Sequence, residues 1–515
     1  MPTPETIEEA VRRHARERAD VPAFTDPART LTWAQLDDAA DRCAALLAGH
    51  AVGQGDRVAW LGPNSVGYPV CVLGAWRRGA SIVGLNFRLP PADLAAVTEA
   101  IGLDHVVVDA RFVNMAAHLH TAGLTVVEAA DDEWPPPAEP PEPVVPHDDD
   151  EALIYFTSGS TGHPKAVPLT RRAVEATIPY ADVHGFGTDS RALVIPPNFH
   201  AAGATWANYG MHIGMSTVYT ADTSPAGIVD ALIDQAITHT LLVPTLLHAV
   251  VEELKHQPRH ITSLKHVGYG ASPITQHLLG EAMDLLGCEF GQVYGLTETG
   301  GGVSFLWPAD HLGDHPAHLA SAGRPGKDVE VEVRGPDRTV LPTGQSGELW
   351  FRAPSLTRGY LGNPEATSRV LVDGWLNTRD VGFLDEDGYI YVQGRSDDMI
   401  QTGGENVHPQ AVEEVLITMP GIAECAVFGV PDPHWGQRVT AAVVADPDDT
   451  GDRLTAEAIR SWCTVRLARY QVPKSIVMLH ELPRTASGKV KRTALAANSS
   501  CCLLYTSDAA DERSS

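Results

Sequence analysis

The sequence has little cysteine, a deficit of basic residues and no long apolar run. Its seven cysteines among 515 residues are odd in number and contain no Cys-x-x-Cys pair, so neither a disulfide framework nor a zinc site is expected. Lysine and arginine total 38 against 65 aspartates and glutamates, a formal net charge of −27. Since no dense basic stripe offsets this excess, we expect neither nucleic acid nor an anionic membrane surface as a partner.

No segment approaches the ~18 apolar residues of a membrane span, and the amino terminus lacks the basic and apolar stretches of a secretory signal. We therefore expect a soluble, cytoplasmic protein. At ~100–200 residues per domain, the chain has room for two to four domains. Hydrophobic residues make up 43% and charged residues 20%, which excludes global disorder.

Short apolar runs alternate with helical patterns along the first part of the chain, for example at 152–156, 192–195 and 240–243. This alternation favours an α/β architecture. From Val329 the pattern changes to strict alternation, which predicts a β-rich subdomain before residue ~395. A smaller α+β domain should follow. Its first helix is predicted to begin at Pro409, to bury Val412, Val415, Leu416 and Met419, and to end at Pro420.

A loop rich in hydroxyl groups follows the apolar run at 152–156. Its hydroxyls, glycines and lysine could surround a polyphosphate with donors: Thr157, Ser158, Gly159, Ser160, Thr161, Gly162 and Lys165. A solvated turn is the simpler interpretation of such a composition. The segment is not a Walker-type loop, because Pro164 precedes the lysine and Ala166 follows it.

The loop is the first of several segments whose order along the chain is informative. The others lie at 197–200, 268–273, 294–299, 374–380, 394–400, 403–409 and 483–490. Their order, from about residue 6 to 495, resembles the adenylate-forming superfamily of acyl- and aryl-CoA synthetases, luciferases and peptide-synthetase adenylation domains. The resemblance implies an AMP-binding amino-terminal domain at 1–394, a hinge at 395–398 and a mobile carboxy-terminal domain at 399–495. Residues 496–515 continue no earlier pattern, and we expect them to be foreign to the fold and disordered.

The resemblance implies a two-step reaction that uses ATP, Mg²⁺ and coenzyme A. A carboxylate attacks the α-phosphorus of ATP, pyrophosphate leaves, and the thiol of coenzyme A then accepts the acyl group. In this scheme Thr157, Ser158, Ser160, Thr161 and Lys165 hold the β- and γ-phosphates, and Gly159 and Gly162 allow close backbone approach. Thr297 contacts the α-phosphate, and Glu298 helps to bind Mg²⁺. Adenine would lie against Gly270, Ala271, Ser272 and Tyr294, and the ribose against Asp380 and Arg395.

By the same resemblance, Lys489 stabilises the transition state of the first step, and rotation at Asp397 then admits the thiol. Gly403, Gly404 and Trp435 would form the thiol tunnel, and Arg88 would contact the coenzyme A nucleotide. Trp435 also has the simpler interpretation of a core residue. Two departures stand out: Arg379 replaces a usual glycine, and Gln471 and Val472 replace basic residues, for which Arg469 or Lys474 could compensate.

The acid is expected to enter past His200, with Gly203, Gly300 and Gly301 lining the pocket. No aspartate is present to pair with a substrate ammonium, which disfavours amino acids. A pocket of small apolar groups suits a fatty or an aryl acid equally. Two other functions stay open: an acyl-AMP ligase that loads a carrier protein, and a non-catalytic nucleotide-binding homologue. The sequence gives no oligomeric state.

Overall fold

The computed structural model describes residues 5–121, 123–129, 144–157, 164–312, 316–446, 454–484 and 490–499. The chain divides into two compact units. The larger unit comprises Met1–Val331, Trp350–Asn377 and Asp385–Ile390, and the smaller comprises Glu332–Leu349, Thr378–Leu384 and Tyr391–Ser515. The mixture of helices and sheets, with a large amino-terminal part and a small carboxy-terminal part, confirms the predicted fold class.

The helices are α1 (Ile7–Glu17), α2 (Trp33–Gly49), α3 (Gly67–Arg77), α4 (Pro91–Ala100), α5 (Val113–Thr121), α6 (Arg171–Glu175), α7 (Ala201–Ile213), α8 (Pro225–Asp234), α9 (Pro244–His256), α10 (Gln276–Leu286), α11 (Pro308–His311), α12 (Pro364–Val370), α13 (Pro409–Leu416), α14 (Ala456–Thr464) and α15 (Arg492–Ser499). Short 3₁₀ turns include Thr297–Thr299 and Ser396–Asp398. Within the described part of the chain, no helix has the length and apolar character that crossing a bilayer requires.

The strands are β1 (Pro22–Thr25), β2 (Thr30–Thr32), β3 (Arg57–Leu61), β4 (Ser81–Gly84), β5 (His105–Asp109), β6 (Thr125–Ala129), β7 (Glu151–Thr157), β8 (Lys165–Thr170), β9 (Arg191–Val194), β10 (Ser216–Val218), β11 (His239–Leu242), β12 (His266–Gly270), β13 (Glu289–Leu296), β14 (Gly301–Leu306), β15 (Arg324–Pro325), β16 (Glu330–Arg334), β17 (Gly347–Arg352), β18 (Leu371–Val372), β19 (Trp375–Leu384), β20 (Ile390–Arg395), β21 (Ile400–Thr402), β22 (Glu405–Val407), β23 (Ile422–Asp432), β24 (Gly436–Ala445) and β25 (Ser475–Leu479).

Two sheets organise the larger unit. One has nine strands in the order β15-β14-β13-β12-β11-β9-β10-β1-β2, and the other has six in the order β6-β5-β3-β4-β7-β8. Strands β9 to β13 pair in parallel, and every residue of β11 and β12 is buried. Continuous burial of this kind is typical of a parallel sheet covered on both faces, and it explains the unbroken apolar runs in the sequence.

The alternating sequence from Val329 forms β16, β17, β19 and β20 of a five-stranded sheet, as predicted. In the smaller unit, a further sheet has the order β22-β21-β24-β23, with β25 beside β24. Helix α13 begins at Pro409 and buries Val412 and Leu416, but it ends at Leu416 rather than beside Pro420. Helix α15 continues to Ser499 and so includes residues 496–499 of the segment expected to lie outside the fold.

Candidate active site

Three of the predicted site segments follow parallel strands of the nine-stranded sheet. His200 follows β9 and precedes α7, Gly270 ends β12, and the turn that begins with Thr297 follows β13. Because parallel strands end at the same edge of a sheet, these segments share its carboxyl edge. Ligands of α/β proteins bind outside this edge.

The backbone at the end of β12 leaves no room for a side chain at Gly270. A β-carbon at Gly270 would lie 2.1 Å from the carbonyl oxygen of Val293 on the neighbouring strand. The next residue, Ala271, has a φ of 67°, in the left-handed region that few side chains adopt. The ring of Tyr294 lies 5.9 Å from that of Phe351. Gly270 and Tyr294, both predicted to line the adenine slot, therefore lie on adjacent strands.

The predicted phosphate loop connects β7 to β8. These strands are antiparallel, and Thr157 pairs with Lys165 across the base of the hairpin. Lys165 begins a strand rather than a helix, which separates this loop structurally from a Walker-type loop. The other predicted loop residues, Ser158, Gly159, Ser160, Thr161 and Gly162, lie outside the described residues.

Tyr360 connects the base of this hairpin with the end of β13. Its ring lies under the ammonium of Lys165, with 4.8 Å from Nζ to the ring centre, and its hydroxyl donates to Oε1 of Glu298 at 2.7 Å. The backbone amide of Thr357 donates to the carbonyl oxygen of Glu298 at 2.9 Å. A cation and a carboxylate, both predicted to serve ATP, are thus arranged around one buried phenol.

Sequence reasoning did not identify Tyr360, which is 62 residues from Glu298. The only local signal is an aromatic residue directly after Gly359, at a position where the chain passes β8. The amide of Leu361 donates to the carbonyl oxygen of Ala166 at 2.9 Å, and this bond holds the aromatic ring beside the hairpin.

The glycines predicted for the acid pocket differ in what surrounds them. A β-carbon at Gly301, where φ is 136°, would lie 3.2 Å from Oγ1 of Thr205. At Gly300 it would lie 2.9 Å from the carbonyl oxygen of Ser355. At Gly203 it would lie 2.3 Å from the carbonyl oxygen of Pro196, so close packing of α7 explains the glycine there. Gly301 is the one of the three where the atom nearest to an added β-carbon belongs to a side chain.

An aromatic cluster brings Arg88 beside His200. The guanidinium carbon of Arg88 lies 5.7 Å from the ring centre of Phe87 and 6.0 Å from that of Phe199. The rings of Phe87 and Phe199 meet edge to face at 5.4 Å, and the ring of His200 lies 4.6 Å from that of Phe199. Two residues predicted for different substrates, the acid and coenzyme A, therefore adjoin one cluster.

In the smaller unit, the two residues predicted to hold the ribose lie together. Asp380 is 7% exposed, and its Oδ1 lies 3.7 Å from Nη1 of Arg395. The hydroxyl of Thr378 accepts from the amide of Asp380 at 3.1 Å and donates to the carbonyl oxygen of Leu349 at 2.9 Å. The carboxylate is thus held at a defined position on β19, next to a cation.

The residues predicted for the thiol tunnel also meet in the smaller unit. The amide of Gly403 donates to the carbonyl oxygen of Trp435 at 2.8 Å, and a β-carbon at Gly403 would lie 2.9 Å from the indole ring. The ammonium of Lys474 lies 3.9 Å from the centre of that ring. Gly404 has open space where a side chain would be. Lys489 lies outside the described residues.

Comparisons with known proteins identify the family of the chain. The family model described as AMP-binding enzyme matches residues 11–361, and the model of the AMP-binding enzyme C-terminal domain matches residues 411–489. A feruloyl-CoA synthase from Amycolatopsis sp is 35% identical over 485 residues, which cover 93% of this chain and 96% of the relative. A fatty acid–[acyl-carrier-protein] ligase from Streptomyces coeruleorubidus is 33% identical over 504 residues, with 96% of each chain covered.

Among solved structures, the chain is similar to the o-succinylbenzoate CoA synthetase of Bacillus subtilis. Its complex with the acyl-adenylate intermediate has a TM-score of 0.84 and 29% identity, with 94% of this chain and 97% of that chain covered. Its complex with ATP and a magnesium ion has a TM-score of 0.83 and 28% identity, covering 94% and 98%. Since a family model matches most of the chain and these relatives span nearly all of it, the chain belongs to the AMP-binding enzyme family.

Proposed function

We propose that this enzyme activates a fatty or aryl carboxylic acid with ATP and transfers the acyl group to coenzyme A. In the first step a carboxylate oxygen attacks the α-phosphorus, and pyrophosphate leaves. In the second the thiol sulfur, having lost its proton, attacks the acyl carbon, and AMP leaves. The observation that carries this proposal is the arrangement of Lys165 and Glu298 around Tyr360 at the base of the phosphate hairpin.

Each member of that arrangement has a role in the first step. Lys165 supplies a compact positive charge for the β- and γ-phosphates, and Thr297 supplies a hydroxyl for the α-phosphate. The carboxylate of Glu298 is the kind of oxygen ligand that Mg²⁺ prefers, and Tyr360 orients it. A bound Mg²⁺ would neutralise charge on the phosphates. Asp380 and Arg395 would hold the ribose, and Lys489 would stabilise the charge that develops during attack.

Coenzyme A as the acceptor is supported by the surroundings of Trp435. Gly403 packs against this indole, and Lys474 places a cation over its face, where a basic side chain can compensate for Gln471. Arg88 would add a second contact to the nucleotide. We place the reaction in the cytoplasm, because free thiols at the described cysteines fit a reducing compartment.

A second candidate is transfer to a carrier protein, because a fatty acid–[acyl-carrier-protein] ligase is among the relatives. Pyrophosphate exchange into ATP, measured over a panel of aliphatic and aromatic acids, tests the first step. We expect exchange with at least one acid; none with any acid would favour a non-catalytic homologue. Release of AMP that depends on coenzyme A supports the thioester reaction, whereas acylation of a phosphopantetheinylated carrier protein alone would favour the second candidate.

A further inference from the structure

Arg379 adopts a backbone conformation that its side chain disfavours. Its φ is 64°, in the left-handed region that glycine adopts readily and that is strained for a residue with a long side chain. The residue lies on β19 between Thr378 and Asp380, where the sequence resemblance leads us to expect glycine. A strained residue at such a place persists only when the surrounding structure holds it there.

The side chain of Arg379 contacts the predicted hinge. Nη2 donates to Oδ1 of Asp397 at 2.6 Å, across 18 residues of sequence. This bond is the main reason that the pKa of Arg379 is raised, and the charge of Glu348 adds to the effect. The arginine and aspartate side chains are 39% and 43% exposed, so solvent reaches the pair.

Asp398, the residue directly after Asp397, makes its contact on the other side of the predicted hinge. Oδ2 of Asp398 lies 3.4 Å from Nη1 of Arg492, on α15. Arg492 also donates to both carboxylate oxygens of Glu413 on α13, at 2.7 and 2.9 Å, and to the carbonyl oxygen of Val427 on β23 at 3.1 Å. Asp397 is therefore tied to the strand that precedes the hinge, and Asp398 to the helices and strand that follow it.

We propose that these two ion pairs bracket the pivot of the hinge and that the Arg379–Asp397 pair, here called the latch, restrains its rotation. Rotation about the N–Cα bond of Asp397 would carry its carboxylate away from Arg379 and break the latch. Rotation about its Cα–C bond leaves the carboxylate where it is. The latch thus favours a swivel between Asp397 and Asp398, and Arg379 is a positioning residue for the alternation between half-reactions. This inference rests on the proposed function.

The latch restrains the hinge without fixing it. A half-exposed ion pair changes an equilibrium by at most about fivefold, because water and side-chain entropy offset most of its attraction. Such an effect is small enough to let the carboxy-terminal part rotate during each catalytic cycle. It is also large enough to change how long the hinge stays in one state.

Hydrogen exchange of the amides at 395–400 tests the latch independently of activity. Arg379→Asn removes the charge but tolerates a positive φ, and Asp397→Asn removes the partner. We expect each substitution to raise exchange by about two- to fivefold, and the double variant to equal the single ones. Arg338→Asn is the matched control, since Arg338 has a φ of 65° elsewhere in the same unit. Unchanged exchange, or additive effects of the two substitutions, would overturn the proposal.

The half-reactions give the second measurement. Pyrophosphate exchange reports adenylation, and thioester formation from supplied acyl-adenylate reports the second step. We expect Arg379→Asn to change the ratio of their rates by about two- to fivefold, and Arg379→Lys, which keeps the charge, to restore it. An equal change in both rates would contradict the latch. A wild-type enzyme without exchange activity would instead contradict the proposed function, while the hydrogen-exchange result would still decide the latch.

Discussion

The hydroxyl of Tyr360 donates to Oε1 of Glu298 at 2.7 Å, while the face of the same ring lies 4.8 Å from the ammonium of Lys165. One side chain therefore orients the proposed ligand of Mg²⁺ and the proposed phosphate-binding lysine. This double role distinguishes the phenol from a simple core aromatic, and the two parts can be told apart because the oxygen can be removed while the ring stays.

Tyr360→Phe should weaken the use of Mg²⁺ while leaving the ring under Lys165. Glu298 would lose the donor that orients it, so we expect the Mg²⁺ concentration for half-maximal pyrophosphate exchange to rise about tenfold. The free energy of unfolding should fall by about 1–2 kcal/mol. Tyr389→Phe is a matched control, because Tyr389 donates to Oδ1 of Asp310 at 2.7 Å in the same unit. An equal change in the Mg²⁺ requirement of both variants would contradict the assignment.

Lys489→Ala should abolish formation of acyl-adenylate from ATP and largely preserve thioester formation from supplied acyl-adenylate. Its ammonium is assigned to charge that develops only in the first transition state. Single-turnover assays of the two half-reactions measure this difference. Lys491→Ala, two residues further along, controls for the loss of a positive charge in this segment. Equal loss of both half-reactions would refute the role given to Lys489.

Gly301→Ala should select against bulky acids. Its methyl group would lie about 3.2 Å from Oγ1 of Thr205, which narrows the predicted pocket. We expect kcat/KM to fall at least about tenfold more for large acids than for small ones. Gly287→Ala also places a side chain at a positive φ, of 58°, with no atom within 4 Å, and should leave the ratio between acids unchanged. If kcat/KM falls equally for every acid, Gly301 lies outside the pocket.

Glu175→Gln should remove part of the pH dependence of stability. Burial raises the pKa of Glu175 from 4.5 to about 7, although the amide of Ile7 donates to its carboxylate at 3.0 Å and opposes the shift. Between these values the folded state binds a proton that the unfolded state has released. Its contribution to stability is therefore present below about pH 4.5 and is lost as the pH rises through about 7.

Urea unfolding at about pH 5 and about pH 8 measures this loss. The free energy of unfolding of the wild type should fall relative to Glu175→Gln by up to about 3 kcal/mol between the two conditions. Glu289→Gln removes the same charge at an exposed position and should follow the wild type. If Glu175→Gln also follows the wild type, burial of this carboxylate has no effect on folding.

Local patterns predicted much of the fold because they depend on neighbouring residues. The apolar run at 152–156 lies within β7, the hydroxyl-rich segment lies at the hairpin between β7 and β8, and Pro409 begins α13. The end of α13 differs from the prediction, because the helix ends at Leu416, short of Pro420. Met419 continues the apolar spacing, but the helix ends at Leu416 and the chain turns toward β23.

The contacts that give the site its character could not be predicted in this way. Tyr360 reaches Glu298 across 62 residues, and Arg379 reaches Asp397 across 18. Neither pair has a periodicity or a spacing that marks it, because each depends on where separate strands and turns are placed. The sequence resemblance did identify Arg379 as unusual, but only the fold brings it into contact with the predicted hinge.

The tight contact at Gly270 bears on the proposed adenine slot and on any attempt to change the base that this slot would accept. With the carbonyl oxygen of Val293 only 2.1 Å from where a methyl group would begin, even alanine is sterically forbidden there. At Ala271 the backbone is left-handed, so glycine, asparagine and aspartate are the replacements that strain it least. A mutant library aimed at base selectivity should therefore concentrate its diversity on Ser272.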